Sequence, residues 1–396
     1  VLCLAVLGLA APAAAQQPDS SVAPTIDHVA ITRYSIFDPN EATFWLLRLV
    51  NTLHIPTREY VVRRELLFGA GDRYDSARVA ETDRNLRRLG VFRAVQIDTA
   101  TTDSGLVATV TTRDGWSTRP DFRFRSTGGS VAYTLALIED NLLGTASQAS
   151  LLYRKNPDRT TTTLAFRQPR LIAGRVGLTS RWDNRSDGDR VYAAMGQQFF
   201  NTETSSSWNV AGETRNERIL RFTEGEPLPT DSVFREYRYL RFDAGKALSA
   251  SSGGYVRVGL MGQLRSDNVL TGILPVDDDG NFTTGAVGAW LEWRRTRYEP
   301  VVGYRAQGRP ESVDLSPVAR LGFWVAPTSF GYSRSVIAPD LWLQAGTRFG
   351  GGFALVSGVA NGAYSSAGLD SGSAQLGATV ALIPGPRHLF VLHGSA

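Results

Sequence analysis

From about residue 116 to the end of the chain, apolar and non-apolar positions alternate with a period of two. That period belongs to β-strands that show different surroundings on their two faces. The alternation predicts strands over 121–127, 131–139, 147–154, 160–167, 174–183, 191–200, 206–216 and 234–246. It continues over 254–265, 285–295, 314–326, 339–348, 351–361, 373–383 and 387–393. In 254–265, Val256, Val258, Leu260 and Leu264 share one face, and Tyr255, Arg257, Met261, Gln263 and Arg265 share the other. In 373–383, Leu376, Ala378, Val380 and Leu382 oppose Gln375, Gly377 and Thr379. Polar residues on the second face do not suit the inner face of a soluble sandwich. They suit a water-filled lumen whose outer wall faces lipid. The longer polar inserts 184–190, 217–233 and 266–284 read as surface loops between strands.

Residues 26–115 follow a different rhythm, that of a small α+β domain in the order strand, helix, helix, strand, strand. Residues 26–31 form the first strand. Thr57 after Pro56 is placed to cap a helix through Val61, Val62, Leu66 and Phe68, ended by Gly69 and Gly71. Asp75 or Ser76 caps a second helix with Val79, Leu86 and Leu89 on one face and Gly90 as its stop. Strands over 91–97 and 106–112 follow. Residues 40–55 form an additional segment of helical character, and residues 16–25, with Pro18 and Pro24, read as a linker.

The first fifteen residues are apolar and end in Ala13-Ala14-Ala15, the pattern of a secretory signal peptide that starts within its hydrophobic core. The single cysteine, Cys3, lies in this segment, so the mature chain carries no thiol. No later apolar run approaches the ~20 residues of a spanning helix. With 42 basic and 38 acidic residues the net charge is +4, which gives no electrostatic footprint for a nucleic-acid partner. Glycine at 39 residues and aromatics at 10% suit frequent turns and interfacial anchors.

Enzymatic chemistry finds little support. The four histidines are His28, His54, His388 and His393, and the last two are five apart, on opposite faces of a strand. There is no Gly-x-Ser-x-Gly and no Walker loop. Asp277-Asp278-Asp279-Gly280-Asn281 lacks the spacing and the distal Glu of a calcium loop. No cofactor and no metal are implied.

Several stretches together resemble the BamA/TamA-type surface-antigen barrels with polypeptide-transport-associated (POTRA) domains. In the small domain these are Leu53 to Glu59, Val62-Arg63-Arg64-Glu65-Leu66-Leu67-Phe68, Gly71 to Asp75, Glu81-Thr82-Asp83-Arg84-Asn85-Leu86-Arg87 and Thr112 to Trp116. At the barrel start, Asp140-Asn141-Leu142-Leu143-Gly144-Thr145 is similar to the family's second-strand turn. The resemblance implies a POTRA-like periplasmic domain over 26–115 and an outer-membrane barrel over 116–396, sixteen-stranded in the family. It further implies a lateral seam between the first and last strands, where an incoming strand can satisfy the open edge. By position, the first barrel strand is Asp121 to Thr127, with Phe122 and Phe124 outward and Arg123 and Arg125 toward the lumen. An ordinary wall strand is the competing reading of that segment. The implied partners are outer-membrane lipid, unfolded polypeptide clients, and periplasmic chaperones or accessory lipoproteins.

One departure stands out. The family's lumenal Arg-Gly-aromatic motif is absent, and Arg348-Phe349-Gly350 has the wrong order. The chain also ends in His393-Gly394-Ser395-Ala396 rather than on an aromatic, which leads us to expect a fragment cut at both ends. The expected function is insertion of outer-membrane proteins or translocation of polypeptides. The alternatives are a passive porin or a dedicated partner-secretion pore, with a barrel-embedded hydrolase behind them.

Overall fold

The computed structural model describes residues 23–37, 44–45, 48, 51–52, 54–103, 105–172, 175–220, 222–223, 226–227, 232–271, 281–304, 310–385 and 388–396. The signal-peptide segment, most of the linker and the aspartate run at 277–279 lie outside these residues.

The small unit contains strand β1 (Ile26–Tyr34), helices α1 (Glu59–Glu65) and α2 (Ser76–Arg88), and strands β2 (Phe92–Thr102) and β3 (Gly105–Asp114). Its sheet order is β1-β3-β2, with β1 parallel and β2 antiparallel to the central β3. Ile26, Val62, Leu86, Val95, Ala108 and Val110 form its buried core. Burial of that apolar face is what holds so short a helix as α1, which is too brief to be stable alone. Asp75 caps α2, accepting from the Ala77 and Arg78 amides. Gly90 ends it at φ +77°, donating to the Arg87 carbonyl.

Two expectations for α1 are corrected. It stops at Glu65, and Leu66 is its C-cap, with extended backbone, so Leu66 packs on the core from outside the helix. Its N-cap is Arg58, without a side-chain cap, because the Thr57 hydroxyl and amide are committed to other partners described below.

The large sheet follows. Its strands are β4 (Thr118–Thr127), β5 (Ser130–Leu142), β6 (Ser147–Lys155), β7 (Thr160–Ile172), β8 (Val176–Arg185), β9 (Gly188–Gln197) and β10 (Ser206–Ile219). After two-residue strands β11 (Phe222–Thr223) and β12 (Glu226–Pro227) come β13 (Val233–Ser251), β14 (Gly254–Thr271) and β15 (Phe282–Arg295). A side hairpin, β16 (Tyr298–Val302) and β17 (Pro310–Asp314), interrupts the series. The series resumes with β18 (Val318–Ala326), β19 (Val336–Phe349), β20 (Gly352–Ser365), β21 (Gly368–Gly385) and β22 (His388–Ser395). Fifteen of these form one antiparallel sheet in strict chain order from β4 to β22, a mainly-β barrel architecture. Among the described residues no hydrogen-bonded pairing joins β4 to β22.

The strand expected at 314–326 is two elements. Pro317, which has no N–H to donate, separates the side hairpin from β18. The expected loops are also shorter than predicted: Asn184 and Arg185 belong to β8, Glu217 to β10, and Ser266 to Thr271 to β14. The polar residues that suggested loops there are carried on strands.

The burial pattern of the large sheet is inverted relative to a soluble protein. Apolar side chains stand exposed in cross-strand rows: Leu137, Leu151, Leu164, Trp182 and Val191 in register across β5–β9, and Leu291, Leu321 and Leu341 across β15, β18 and β19. The opposite face buries charge. Asp183 is 1% exposed and accepts from Thr163 Oγ1 at 2.6 Å and Arg181 Nε at 2.9 Å. Around it run Arg190–Glu213 at 2.6 Å, Arg185–Glu217 at 2.7 Å and Arg235–Asp267 at 2.7 Å. Exposed apolar and buried polar is the arrangement of a wall with lipid outside and a hydrated, ion-paired lumen inside. Trp208 and Trp293 stand on the outer face near one end, where an aromatic girdle would sit.

That polarity makes a prediction. Leu260, near the middle of the outer wall and 63% exposed, should not tolerate a charge. Leu260→Arg is expected to lower the free energy of folding into lipid vesicles by about 2–4 kcal/mol, read by urea titration of tryptophan fluorescence. Gln263→Arg, on the lumenal face of the same strand, should leave it nearly unchanged.

Candidate functional site

Among the described residues, polar contacts between the small unit and the large sheet fall at one end of the sheet, at or beside the turns β5–β6, β7–β8 and β9–β10 and on the side hairpin. The turn after β5 supplies three of them. Asn141 is 3% exposed and its Nδ2 donates to Thr57 Oγ1 at 2.9 Å. Its Oδ1 accepts from the Ala146 amide at 2.9 Å, so one side chain closes the turn and reaches across the junction. The Thr57 amide donates to Asp114 Oδ2 at 2.7 Å, and His54 Nε2 lies 2.8 Å from the same oxygen. The Thr57 carbonyl accepts from Arg33 Nη1 at 2.8 Å. The Arg58 amide and Nε donate to the carbonyls of Gly144 and Leu143 at 2.8 and 3.1 Å.

The turn is bent to make this fit. Leu143 and Ala146 both adopt φ of +55°, where side chains are disfavoured, and Gly144 sits at +72°. A Cβ on Gly144 would stand 2.4 Å from the Pro56 carbonyl oxygen. Asn141, Leu142, Leu143, Gly144 and Thr145 therefore form a docking turn: glycine lets the backbones approach and asparagine locks them. Thr145 Oγ1 donates to the Leu142 carbonyl at 2.7 Å within the turn.

Two further contacts fix the helices. Arg170, on β7, sits on Glu65 of α1, with Nη2 donating to Oε2 at 2.9 Å and Nε 2.9 Å from Oε1. Glu65 is 1% exposed, so this is a desolvated pair, and losing either partner would leave a buried charge uncompensated. Glu81 of α2 accepts from the Thr202 amide and hydroxyl at 2.8 and 2.7 Å, and Arg78 meets Glu203 at 2.9 Å. The turn bearing Thr202 is held from the lumen by buried Arg257, which donates to the Asn201 and Thr202 carbonyls. Arg257 also stacks on Phe199 and Tyr255.

The sequence-predicted residues divide accordingly. Glu65 and Arg64 lie at the junction, the latter through Nη1 to the Arg170 carbonyl at 3.1 Å. Arg63 pairs with Glu59 on the surface at 2.6 Å, and this partner holds the Glu59 carboxyl below its usual range. Leu86 is fully buried in the core, and Asn85 accepts from Arg88 at 3.2 Å. Phe122 and Phe124 are exposed on β4, far from the junction network, with Arg123 paired to Asp121 at 2.8 Å and Arg125 exposed on the face opposite the phenylalanines. His54, Asp114, Arg170, Glu81 and Arg257 were assigned no role from sequence. Their partners are 55 to 121 positions away, so no local spacing carries the signal. Among the described residues there is no cluster of histidine, cysteine and carboxylate side chains suited to a metal.

No family model and no curated protein matches the chain. Solved structures similar to it are BamA from Haemophilus ducreyi lacking POTRA domains 1–3 and CdiB from Acinetobacter baumannii and from Escherichia coli. The BamA likeness has 12% identity and a TM-score of 0.38, over 93% of this chain and 81% of that one. The CdiB likenesses have 11% and 12% identity and TM-scores of 0.33 and 0.34. Each covers 94% of this chain, with 74% and 77% of the respective CdiB chain.

If the turn after β5 is the lock, Asn141→Ala, which strands the Ala146 amide and the Thr57 hydroxyl in a buried place, should cost about 1–3 kcal/mol at the junction. Gly144→Ala should cost more, because backbone rather than a flexible side chain must move. Limited proteolysis of the vesicle-embedded protein should then cut between residues 114 and 118 in both variants and spare the parent chain.

Proposed function

We propose that the chain is an outer-membrane barrel that receives extended polypeptides and assists their insertion or passage. In this reading residues 26–115 act as a POTRA-like periplasmic domain and residues 116–396 as the membrane wall. The observation that carries the reading is the inverted polarity of the large sheet together with an α+β unit docked at one end only. A passive pore needs the wall but has no use for the docked unit. The energy would come from client folding and lipid burial, without nucleotide or metal.

Open sheet edges support the reading. In the small unit β2 has, among the described residues, only β3 as neighbour, and its other edge could add an extended strand. In the large sheet β4 has, among the described residues, only β5 as neighbour. An unpaired strand edge in lipid is costly, and an incoming strand satisfies it. Phe122 and Phe124 give the β4 edge an apolar outer face, while Arg123 and Arg125 hold the lumenal side. Clients are unfolded polypeptides, and periplasmic chaperones or accessory lipoproteins would deliver them.

The test is insertion of a urea-unfolded client barrel into vesicles that carry the refolded protein. The full chain should accelerate insertion severalfold over empty vesicles. The Phe122→Ser/Phe124→Ser variant and a chain lacking residues 26–115 should both lose that acceleration while retaining ion conductance. Equal insertion by all forms, or conductance alone, would leave a passive pore as the function.

A further inference from the structure

Between the small unit and the lumenal wall lies a cavity of about 370 Å³. Its roof is formed by Glu65 at the end of α1 and Arg88 at the end of α2. Its floor is the lumenal face of β7–β10 and the turn after β7, carrying Arg167, Arg170, Arg175 and Asn209. At about 30 Å³ per water, the volume holds a small solute with its hydration.

The charge of this cavity is unbalanced. Its charged lining residues are four arginines and one carboxylate, and that carboxylate is committed to Arg170. Among the described residues, Arg88 donates to the neutral Asn85 side chain and meets no acid. Arg175 donates to the Arg64 carbonyl and stacks on Phe200 at 3.6 Å, again neutral partners. Arg167 is exposed to the cavity side and has no side-chain partner among the described residues. Elsewhere on the lumenal wall many arginines lie against an acid, as in Arg190–Glu213 and Arg235–Asp267. Here Arg88, Arg167 and Arg175 line one partly enclosed space whose lining carboxylate, Glu65, is already paired with Arg170. Burial, with the neighbouring Arg170 charge, pushes the Arg175 guanidinium below its usual value. A bound anion would relieve that cost.

We infer that this cavity is a binding site for an oxyanion, a carboxylate or a phosphate, held by Arg88, Arg167 and Arg175 at the mouth of the lumen. Planar guanidinium forks suit both oxyanions by paired, charge-assisted hydrogen bonds. The inference does not depend on the client-handling reading, though an acidic side chain of an entering polypeptide is one source of the group and free phosphate the other.

The experiment is calorimetric titration of the full chain, refolded in a zwitterionic detergent, with inorganic phosphate at constant ionic strength. One saturable site is expected. Arg167→Gln and Arg88→Gln, both at exposed positions, should each weaken binding about tenfold without altering the folded barrel's electrophoretic mobility. Arg154→Gln, at the opposite end of the lumenal face, should bind as the parent does. A Glu-rich tetrapeptide that displaces phosphate identifies polypeptide carboxylates as acceptable ligands, and one that fails to displace it restricts the site to phosphate. Absence of saturable binding, or equal affinity in Arg167→Gln, Arg88→Gln and the parent, would overturn the inference.

Discussion

The rest of the structure depends on where the polar groups of the large sheet can be satisfied. In a bilayer no water reaches the backbone, so each strand needs neighbours, and charged side chains can sit only on the face turned away from lipid. The sheet meets both conditions with period-two alternation. Leucine, valine and aromatic residues take the outer positions, while arginines and carboxylates pair across strands on the inner ones. Asp183, buried yet bonded to Thr163 and Arg181, shows the inner face working as a connected network rather than as scattered ion pairs. That network holds the lumenal side around β8, while a buried apolar cluster of Val301, Val313, Leu315, Phe353 and Ala381 packs the side hairpin against β20 and β21.

The same constraint explains the junction. A small unit with its own core could hang from the wall by a short connector. Instead it is fastened at three turns by contacts that use buried polar groups: Asn141 with Thr57, Arg170 with Glu65, and Thr202 with Glu81. Desolvated pairs of this kind add little net stability when intact but fix a unique geometry, because every shifted arrangement strands one partner. The positive φ angles at Leu143, Gly144 and Ala146 are the cost of that geometry. Strain concentrated in one turn, at the contact between two units, marks a place where relative position matters for what the molecule does.

The strands were legible in the sequence because alternation is a local signal: Val256 to Leu264 reveals its outer face within nine residues. The order of elements in the small unit was legible too, and Asp75 and Gly90 act as α2 cap and stop as their residue types suggest. The failures are where distant partners override local preference. Thr57 looks like a helix cap, but its amide and hydroxyl serve Asp114 and Asn141, 57 and 84 positions away. Glu217 and the residues of 266–271 look like loops because they are polar, but strands that extend beyond the bilayer, or line a lumen, are polar as well. The side hairpin β16–β17 was missed because Pro317 was read through rather than as a break. The turn at 141–145 is legible as a tight polar turn, and a family resemblance singles it out, but nothing in its composition announces that Asn141 reaches another unit.

The most direct measurement is a cysteine scan of β14 in vesicles, made on a chain whose only native cysteine, Cys3, is replaced. Spin labels at positions 255 to 265 would be probed with an apolar and a water-soluble relaxation agent. Strict alternation is predicted, with 256, 258, 260 and 264 reached from lipid and 255, 257, 261, 263 and 265 shielded from it. Uniform exposure to the water-soluble agent on both faces would contradict a membrane-spanning wall, and with it the account of the fold, the junction and the function.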